Sequence, residues 1–160
     1  MTKWSYSKEY VIEAPIAIAW KHYLDLDSTL EWEEYMTDYR PVAGEPGAQG
    51  SVVDIDYEIG KQSLTCRMTT IERSEFERVV QTAETDGQLV TSVTEVEAFG
   101  FDVTKMRCSL ETDLSSVSFW KRPAQKLAAK VMLQNSMTGY IEFTEAMALK
   151  ELSGALENSD

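Results

Sequence analysis

Hydrophobic and polar residues alternate along the middle of the chain with a period of two, which predicts β-strands. Acidic residues lie between the apolar positions of residues 53–57, and polar residues lie between those of residues 64–68. Such alternation gives a strand one apolar face and one face in water. The inward positions of this first pair of strands are Val53, Ile55, Tyr57, Leu64, Cys66 and Met68.

Three further strands follow over residues 76–85, 89–98 and 103–112. Asp86-Gly87 predicts a hairpin turn between the first two, and Phe99-Gly100 predicts the next turn. In residues 89–98 the face with Val90, Ser92, Thr94 and Val96 is the better inward candidate, although Leu89 and Val93 leave the other face open. The last strand places Met106, Cys108 and Leu110 on its apolar face.

The first fifty residues predict one strand, two short helices and another strand. Residues 4–14 have β-type content, and Pro15 ends the strand. Residues 16–26 have apolar positions at helical spacing, and a second short helix starting at residue 27 carries Leu30, Trp32 and Tyr35. A strand over residues 39–42 precedes a loop rich in glycine and proline over residues 44–50.

Residues 120–156 predict one long helix, because strong helix formers dominate and chain breakers are few. Pro123 suits a first helical turn, and Gly154 is a plausible stop. At about 1.5 Å per residue the helix would extend roughly 50 Å. It must therefore lie along something long, or bend at Gly139.

One stripe of this helix is predicted to face the core, and polar residues interrupt it. Gln134, Thr138 and Glu145 point the same way as the apolar stripe, and a buried polar group without a partner costs about 1–3 kcal/mol. Two interpretations are open: Gly139 bends the helix or shifts its phase so that these groups reach water or backbone, or the helix covers a cavity and they anchor a ligand. The apolar members of the stripe are Trp120, Ala124, Leu127, Val131, Ile141, Leu149, Leu152 and Leu156.

A second apolar row lies on the opposite side of the helix. Met132, Tyr140, Phe143 and Met147 form this row. A contiguous apolar row on a surface often marks an interface. The row predicts a homodimer or another protein contact.

Composition limits the class of function. The chain has 160 residues and a net charge of −12, so it repels phosphate backbones and anionic lipids. We expect one domain over residues 1–160, with no nucleic-acid partner, no membrane insertion and no metal or cofactor. Two free buried cysteines, Cys66 and Cys108, and the absence of a leader pattern predict a cytoplasmic protein.

Several motifs in order resemble the START-like superfamily, also called SRPBCC, which includes lipid-transfer domains, plant pollen-allergen proteins and polyketide cyclase/dehydratase-like proteins. The motifs are the run of residues 10–20, with Ala14-Pro15 before an apolar helix bearing Trp20, then Glu31-Trp32, and the glycines of residues 44–50. The resemblance implies an α+β helix-grip fold, in which a curved antiparallel sheet of about seven strands wraps around the long C-terminal helix. It also implies an apolar cavity for a lipid, polyketide or aromatic molecule.

The strand parity, the short-helix corner and the polar helix positions together predict the residues that bind this molecule. Small or pliable inward residues favour a hollow, since methionine fills irregular gaps without fixing their shape. Tyr57, Trp32 and Tyr35 could equally pack in the core. The predicted ligand-binding residues are Trp32, Tyr35, Val53, Ile55, Tyr57, Met68, Ser92, Thr94, Met106, Cys108, Gln134, Thr138 and Ile141.

Catalytic residues are not identified by any motif. His22 lies off the apolar face of its helix, so we expect it at the surface. Glu95 and Glu145 could act as general bases if burial raised the pKa of their carboxyl groups. Three hypotheses remain: a carrier of a hydrophobic small molecule, a cyclase or dehydratase on the same fold, and a co-chaperone-like interaction protein.

Overall fold

The computed structural model describes the backbone of residues 2–157 and the side chains of residues 2–155. Strand β1 (Lys3–Ile12) is followed by the short helices α1 (Ile16–Leu24) and α2 (Leu26–Trp32). A 3₁₀ turn (Phe119–Lys121) leads into the long helix α3 (Arg122–Glu157). Between these helical parts lie β2 (Met36–Ala43), β3 (Val52–Ile59), β4 (Gln62–Ser74), β5 (Arg78–Thr85), β6 (Gln88–Ala98) and β7 (Thr104–Asp113).

The seven strands form one antiparallel sheet in the order β1-β7-β6-β5-β4-β3-β2. The predicted α+β class and the order of elements are confirmed. Register shifts interrupt the pairing of β2 with β3 and of β4 with β5. Such bulges bend strands and increase their twist, which suits a sheet that curves around a helix.

Strand parity places the apolar residues as the alternation predicted. Val53 and Ile55 are buried on β3, and the open choice on β6 is settled by the burial of Thr94 and Val96, while Leu89 is exposed. The register brings Thr94 opposite Cys108 and Val96 opposite Met106 on the inner face. Val79 is buried on the intervening strand β5, so the strands from β3 to β7 present one continuous inner surface.

The core has two parts. The larger one lies where α1 and α3 cross the strands β5–β7, and its fully buried members include Ile12, Ala19, Val79, Met106 and Tyr140. The smaller one lies beside α2 and contains Leu26, Met36, Val53 and Ile55. The division leaves room for a hollow between α2 and the central strands.

The rotation of α3 about its own axis is opposite to the predicted one. The residues of α3 that belong to the larger core cluster or pack against it share one side of the helix, and they are Leu133, Met137, Tyr140, Ile141 and Ala148. The predicted core stripe faces solvent instead, with exposed side chains at Trp120, Leu127, Val131, Leu149 and Leu152. The side chain of Leu156 lies outside the described residues. Helical periodicity identifies two apolar stripes here and does not say which one the sheet covers.

The predicted interface row is wrong for the same reason. Tyr140 is fully buried, and its hydroxyl donates a hydrogen bond to the Ala19 carbonyl of α1. Phe143 meets the ring of His22 edge-on, with centroids 5.3 Å apart. The row of Met132, Tyr140, Phe143 and Met147 therefore turns its largest aromatic residues inward against α1, so it is not an exposed face for a second chain.

Both glycines of α3 lie within the helix. The predicted stop at Gly154 is not observed, because α3 continues through that position as it does through Gly139. A Cβ on residue 139 would sit 2.7 Å from the Trp32 carbonyl oxygen, while a Cβ on residue 154 would meet nothing within 4 Å. Gly139 thus permits the backbones of α2 and α3 to touch.

We expect Gly139→Ala to destabilise the fold and Gly154→Ala to stabilise it. Alanine is favoured over glycine in a helix by about 1 kcal/mol, which both variants gain. Only the variant at position 139 must also push α2 away, and overpacking of this kind costs about 1–3 kcal/mol. Urea unfolding monitored by circular dichroism measures both. Equal free energies of unfolding for the two variants would contradict the close contact.

His22 is buried rather than exposed as predicted, with 4% of its surface accessible. Its Nδ1 lies 3.0 Å from the Ser28 hydroxyl, and that hydroxyl donates to an Asp25 carboxylate oxygen. Within residues 2–155, the His22 Nε2 has no hydrogen-bond partner. Burial is the main cause that lowers the pKa of His22, and the neighbouring Lys21 lowers it further.

We expect the native state to lose stability as the pH falls below about 6.5, the ordinary pKa of histidine. Because the native pKa is lowered, the unfolded chain takes up the proton first, so acid favours unfolding through this window. The variant His22→Gln keeps a polar group near Ser28 and lacks the titration. Urea midpoints between pH 8 and 5 should fall more steeply for the unchanged protein. Parallel profiles would show that His22 does not resist protonation.

Candidate functional site

A pocket of about 190 Å³ lies between α2 and the inner face of the sheet. The sheet contributes Ile55 and Tyr57 from β3, Met68 from β4 and Gln81 from β5. The remaining wall comes from the first third of the chain and from one loop glycine: Tyr23, Leu24, Leu26, Thr29, Trp32, Glu33, Met36 and Gly47. All of these lining residues lie outside α3.

Local sequence explains why these side chains meet. Period-two alternation sends Ile55, Tyr57 and Met68 to the same face of the sheet. At the start of α2, the Asp25 side chain accepts a hydrogen bond from the Asp27 backbone N–H and caps the helix. At its end, Trp32 meets the ring of Tyr140 edge-on at 5.5 Å, which ties the pocket wall to α3.

Glu33 is the acidic group in the pocket wall. Burial raises the pKa of its carboxyl group, while hydrogen bonds with the Ser136 side chain and the Tyr35 backbone oppose that rise. Burial also raises the pKa of the Tyr57 phenol, with smaller contributions from Cys66 and from Glu33. A phenol kept neutral and a carboxyl group that holds its proton more readily than usual can both donate hydrogen bonds to a ligand.

At three positions where the sequence predicted ligand contacts, the side chains pack in or against the larger core cluster. The Tyr23 hydroxyl lies 2.7 Å from the Thr94 hydroxyl, and the Cys108 thiol lies 3.8 Å from the Met137 sulfur. Burial raises the pKa of Cys108 to about 12, so the thiol stays protonated. Met106 is fully buried beside them. Thr94, Met106 and Cys108 are therefore packed core residues and do not line the pocket.

Apart from Gln134 and Thr138 of α3, the other predicted binding residues either line the pocket, contact one of its lining residues, or lie away from it. Trp32, Ile55, Tyr57 and Met68 line the pocket, as their strand parity and position at the helix corner suggested. Ser92 touches the pocket indirectly, because its hydroxyl lies 3.4 Å from the Gln81 carbonyl oxygen. The remaining three predicted residues lie away from the pocket wall: Val53 in the smaller core cluster, Ile141 against the larger one, and Tyr35 half-buried after α2.

The prediction that Gln134 and Thr138 anchor a ligand inside the cavity is wrong. Both side chains are exposed. The Gln134 amide donates to the Tyr6 hydroxyl at 3.2 Å, and the Thr138 hydroxyl bonds back to the Gln134 carbonyl oxygen at 2.8 Å. Both residues lie on the solvent side because α3 turns Met137 and Tyr140 toward the sheet. Gln134 and Thr138 therefore reach water or backbone, as one of the two interpretations of the polar stripe expected, and the rotation of α3 is the reason.

The two predicted general bases lie away from the pocket. A Glu145 carboxylate oxygen accepts the Glu13 backbone N–H at 3.0 Å, and Glu95 is exposed beside Arg78, 3.6 Å from its guanidinium. Sequence reasoning missed Glu33, Thr29 and Gln81. The position of Glu33, directly after the wall residue Trp32, was the available signal.

Larger hollows of about 350 and 390 Å³ lie on the surface and have charged rims. The first opens between glutamates and basic residues of the outer sheet face, including Glu9, Glu95 and Arg107. The second lies beside α1 and is bordered by Lys21, Arg73 and Glu75. The pocket beside α2 is the one with predominantly apolar walls on the inner face of the sheet.

No protein-family model matches the sequence, and no curated protein matches it. Support for the architecture comes from solved structures. Within residues 2–157, every helix is too short or too polar to cross a lipid bilayer.

Solved structures resemble the chain over most of its length. Ara h 8.0201 covers 92% of this chain and 99% of its own, with 16% identity and a TM-score of 0.69. The major latex-like protein 151 of Panax ginseng covers 93% and 99%, with 13% identity and a TM-score of 0.70. The CV1439 protein of Chromobacterium violaceum covers 88% and 97%, with 12% identity and a TM-score of 0.69. This chain therefore shares the fold of these structures, the helix-grip arrangement of a seven-stranded antiparallel sheet and a long C-terminal helix that the sequence resemblance implied.

Proposed function

We propose that the protein binds a small, largely apolar molecule of about one ring in size in the pocket beside α2. The observation that carries the proposal is an apolar hollow on the inner face of the sheet, with a few polar groups in its wall. Binding sites for small molecules typically combine mostly apolar walls with a small number of polar anchors.

The volume favours a compact ligand. Drug-sized ligands occupy pockets of about 300–1,000 Å³, whereas an engineered apolar cavity of about 150 Å³ binds benzene. The observed 190 Å³ lies near the second value. Of the three predicted ligand classes, the aromatic type fits this volume, and a long acyl chain or a fused polyketide would need the pocket to open.

The polar groups favour a ligand with a hydroxyl or carbonyl group. Tyr57 can donate a hydrogen bond, Glu33 can accept one or, when protonated, donate one, and the Gln81 side chain is held in place by its bond to the Thr70 hydroxyl at 3.2 Å. Each such bond to a ligand contributes about 0.5–1.5 kcal/mol net. A phenol derivative offers both the ring that the walls accept and the polar group that these anchors need.

Proton transfer to the bound molecule is a second candidate function, and Glu33 is the observation that favours it. A carboxyl group whose pKa is raised by burial is a better general acid near neutral pH than an exposed one.

We also infer that the protein works in a reducing compartment such as the cytoplasm, because Cys66 and Cys108 are free thiols.

We expect p-cresol to bind the protein and Met68→Trp to weaken that binding by on the order of tenfold or more. The larger side chain fills the pocket from β4, so the ring of the ligand loses its space. Met132→Trp is the matched control, because residue 132 is an exposed methionine of α3. Titration followed by ¹H–¹⁵N correlation spectra measures all three affinities.

Two results would count against the pocket. One is an unchanged protein that does not bind p-cresol or its close relatives phenol and indole. The other is equal affinity for the Met68 and Met132 variants. Thermal unfolding of both variants checks that each is folded, so that a loss of binding is not a loss of structure.

We expect the affinity for p-cresol to fall as the pH rises through the raised pKa of Glu33. Ligand binding displaces water from the carboxyl group, which raises its pKa further, so binding favours the protonated form. Glu33→Gln mimics that form and should flatten the pH profile. Isothermal titration in two buffers of different ionisation enthalpy measures the proton uptake. A flat profile for the unchanged protein would show that Glu33 does not contact the ligand site.

A further inference from the structure

The solvent side of the long helix carries apolar residues at both ends. We name this set the outer stripe: Ala124, Leu127 and Val131 near the start of the helix, with Trp120 in the 3₁₀ turn before it, and Leu149 and Leu152 near the end. Leu127 is 63% exposed and Leu149 is 66% exposed, while Trp120 reaches 86%. These are large side chains to leave in water, and a monomer gains nothing from them.

The outer stripe is symmetric about one residue. Leu127 and Leu149 each lie eleven positions from Thr138, and Ala124 and Leu152 each lie fourteen positions from it. On the same face of the helix, the exposed residues between the two apolar ends are polar, namely Gln134, Asn135, Thr138 and Glu142. Spacings of three and four residues keep one face in register along two packed helices. Two antiparallel copies of α3 crossing at Thr138 would thus place each apolar end against the other.

The charges of the helix follow the same division. Residues 122–141 of α3 contain three basic residues and no acidic residue, although the whole chain has a net charge of −12. Residues 142–157 contain four acidic residues and one basic residue. An antiparallel pair sets the basic half of each helix beside the acidic half of the other, whereas a parallel pair sets like charges together.

We propose that the protein forms a two-fold symmetric dimer through the outer stripe, with the α3 helices antiparallel and Thr138 at the axis. In such an interface the same surface patch serves both copies, which is the requirement of an isologous contact. The surface differs from the row that contains Tyr140, which is buried within each chain. The inference is independent of the pocket beside α2.

An anionic membrane is a less suitable partner for this face. The basic residues and Trp120 would favour it at one end of the helix. Glu142 is exposed in the middle of the same face, however, and the acidic half follows it, so only part of the stripe could approach the lipid. A second, antiparallel copy would cover the apolar residues at both ends of the helix, and it would set each charged half of the helix beside a half of opposite charge.

Chemical cross-linking tests the arrangement directly. Treatment of Thr138→Cys with a short bis-maleimide should join two chains, because the two copies of residue 138 face each other at the axis. Ala124→Cys is the matched control. Its two copies would lie about 40 Å apart, at roughly 1.5 Å per residue, so it should not join to itself. The native thiols of Cys66 and Cys108 are buried, and the unchanged protein measures their background.

Sedimentation velocity gives the second measurement. Leu127→Asp with Leu149→Asp changes two exposed positions, so each chain should fold as before while the dimer dissociation constant rises by on the order of tenfold or more. A monomer at all concentrations, or equal cross-linking at positions 138 and 124, would overturn the proposal. Binding of the monomer to phosphatidylserine vesicles, abolished by the same two changes, would also overturn it in favour of a membrane contact.

Discussion

The contact between α2 and α3 at Gly139 fixes the position of the long helix, and most other features follow from it. Since residue 139 has no side chain, the Trp32 carbonyl can lie where a Cβ would be only 2.7 Å away. One residue later, the Tyr140 hydroxyl bonds to the Ala19 carbonyl of α1. Together these contacts set how far α3 approaches the short helices and which way it is rotated.

That rotation determines where the interior is filled and where it is open. Met137 and Tyr140 extend into the space above β6 and β7, so the hydroxyl of Thr94 and the thiol of Cys108 meet protein groups instead of a ligand. The ring of Tyr140 also packs edge-on against the ring of Trp32. The remaining hollow lies on the far side of Trp32, against β3, β4 and β5. The position of α3 therefore determines both which part of the interior is packed and which part forms the pocket.

The strands and their inward faces could be predicted from the sequence because period-two alternation is a local signal with one answer per strand. Ile55, Tyr57 and Met68 were placed correctly on that basis. The rotation of α3 could not be predicted in this way. Leu127 and Leu149 are as apolar as Met137 and Tyr140, and only the close contact at Gly139 distinguishes the two stripes. His22 was misplaced for a related reason, since its partners Ser28 and Phe143 belong to other helices.

The position of a bound ring is the most direct test of a hollow created by this helix placement. Nuclear Overhauser effects between p-cresol and selectively labelled methyl groups measure that position. We predict contacts with the methyl groups of Ile55 and Met68, which line the pocket. Contacts with the methyl groups of Met106 or Met137 instead would contradict this position, because they would place the ring inside the core that α3 fills.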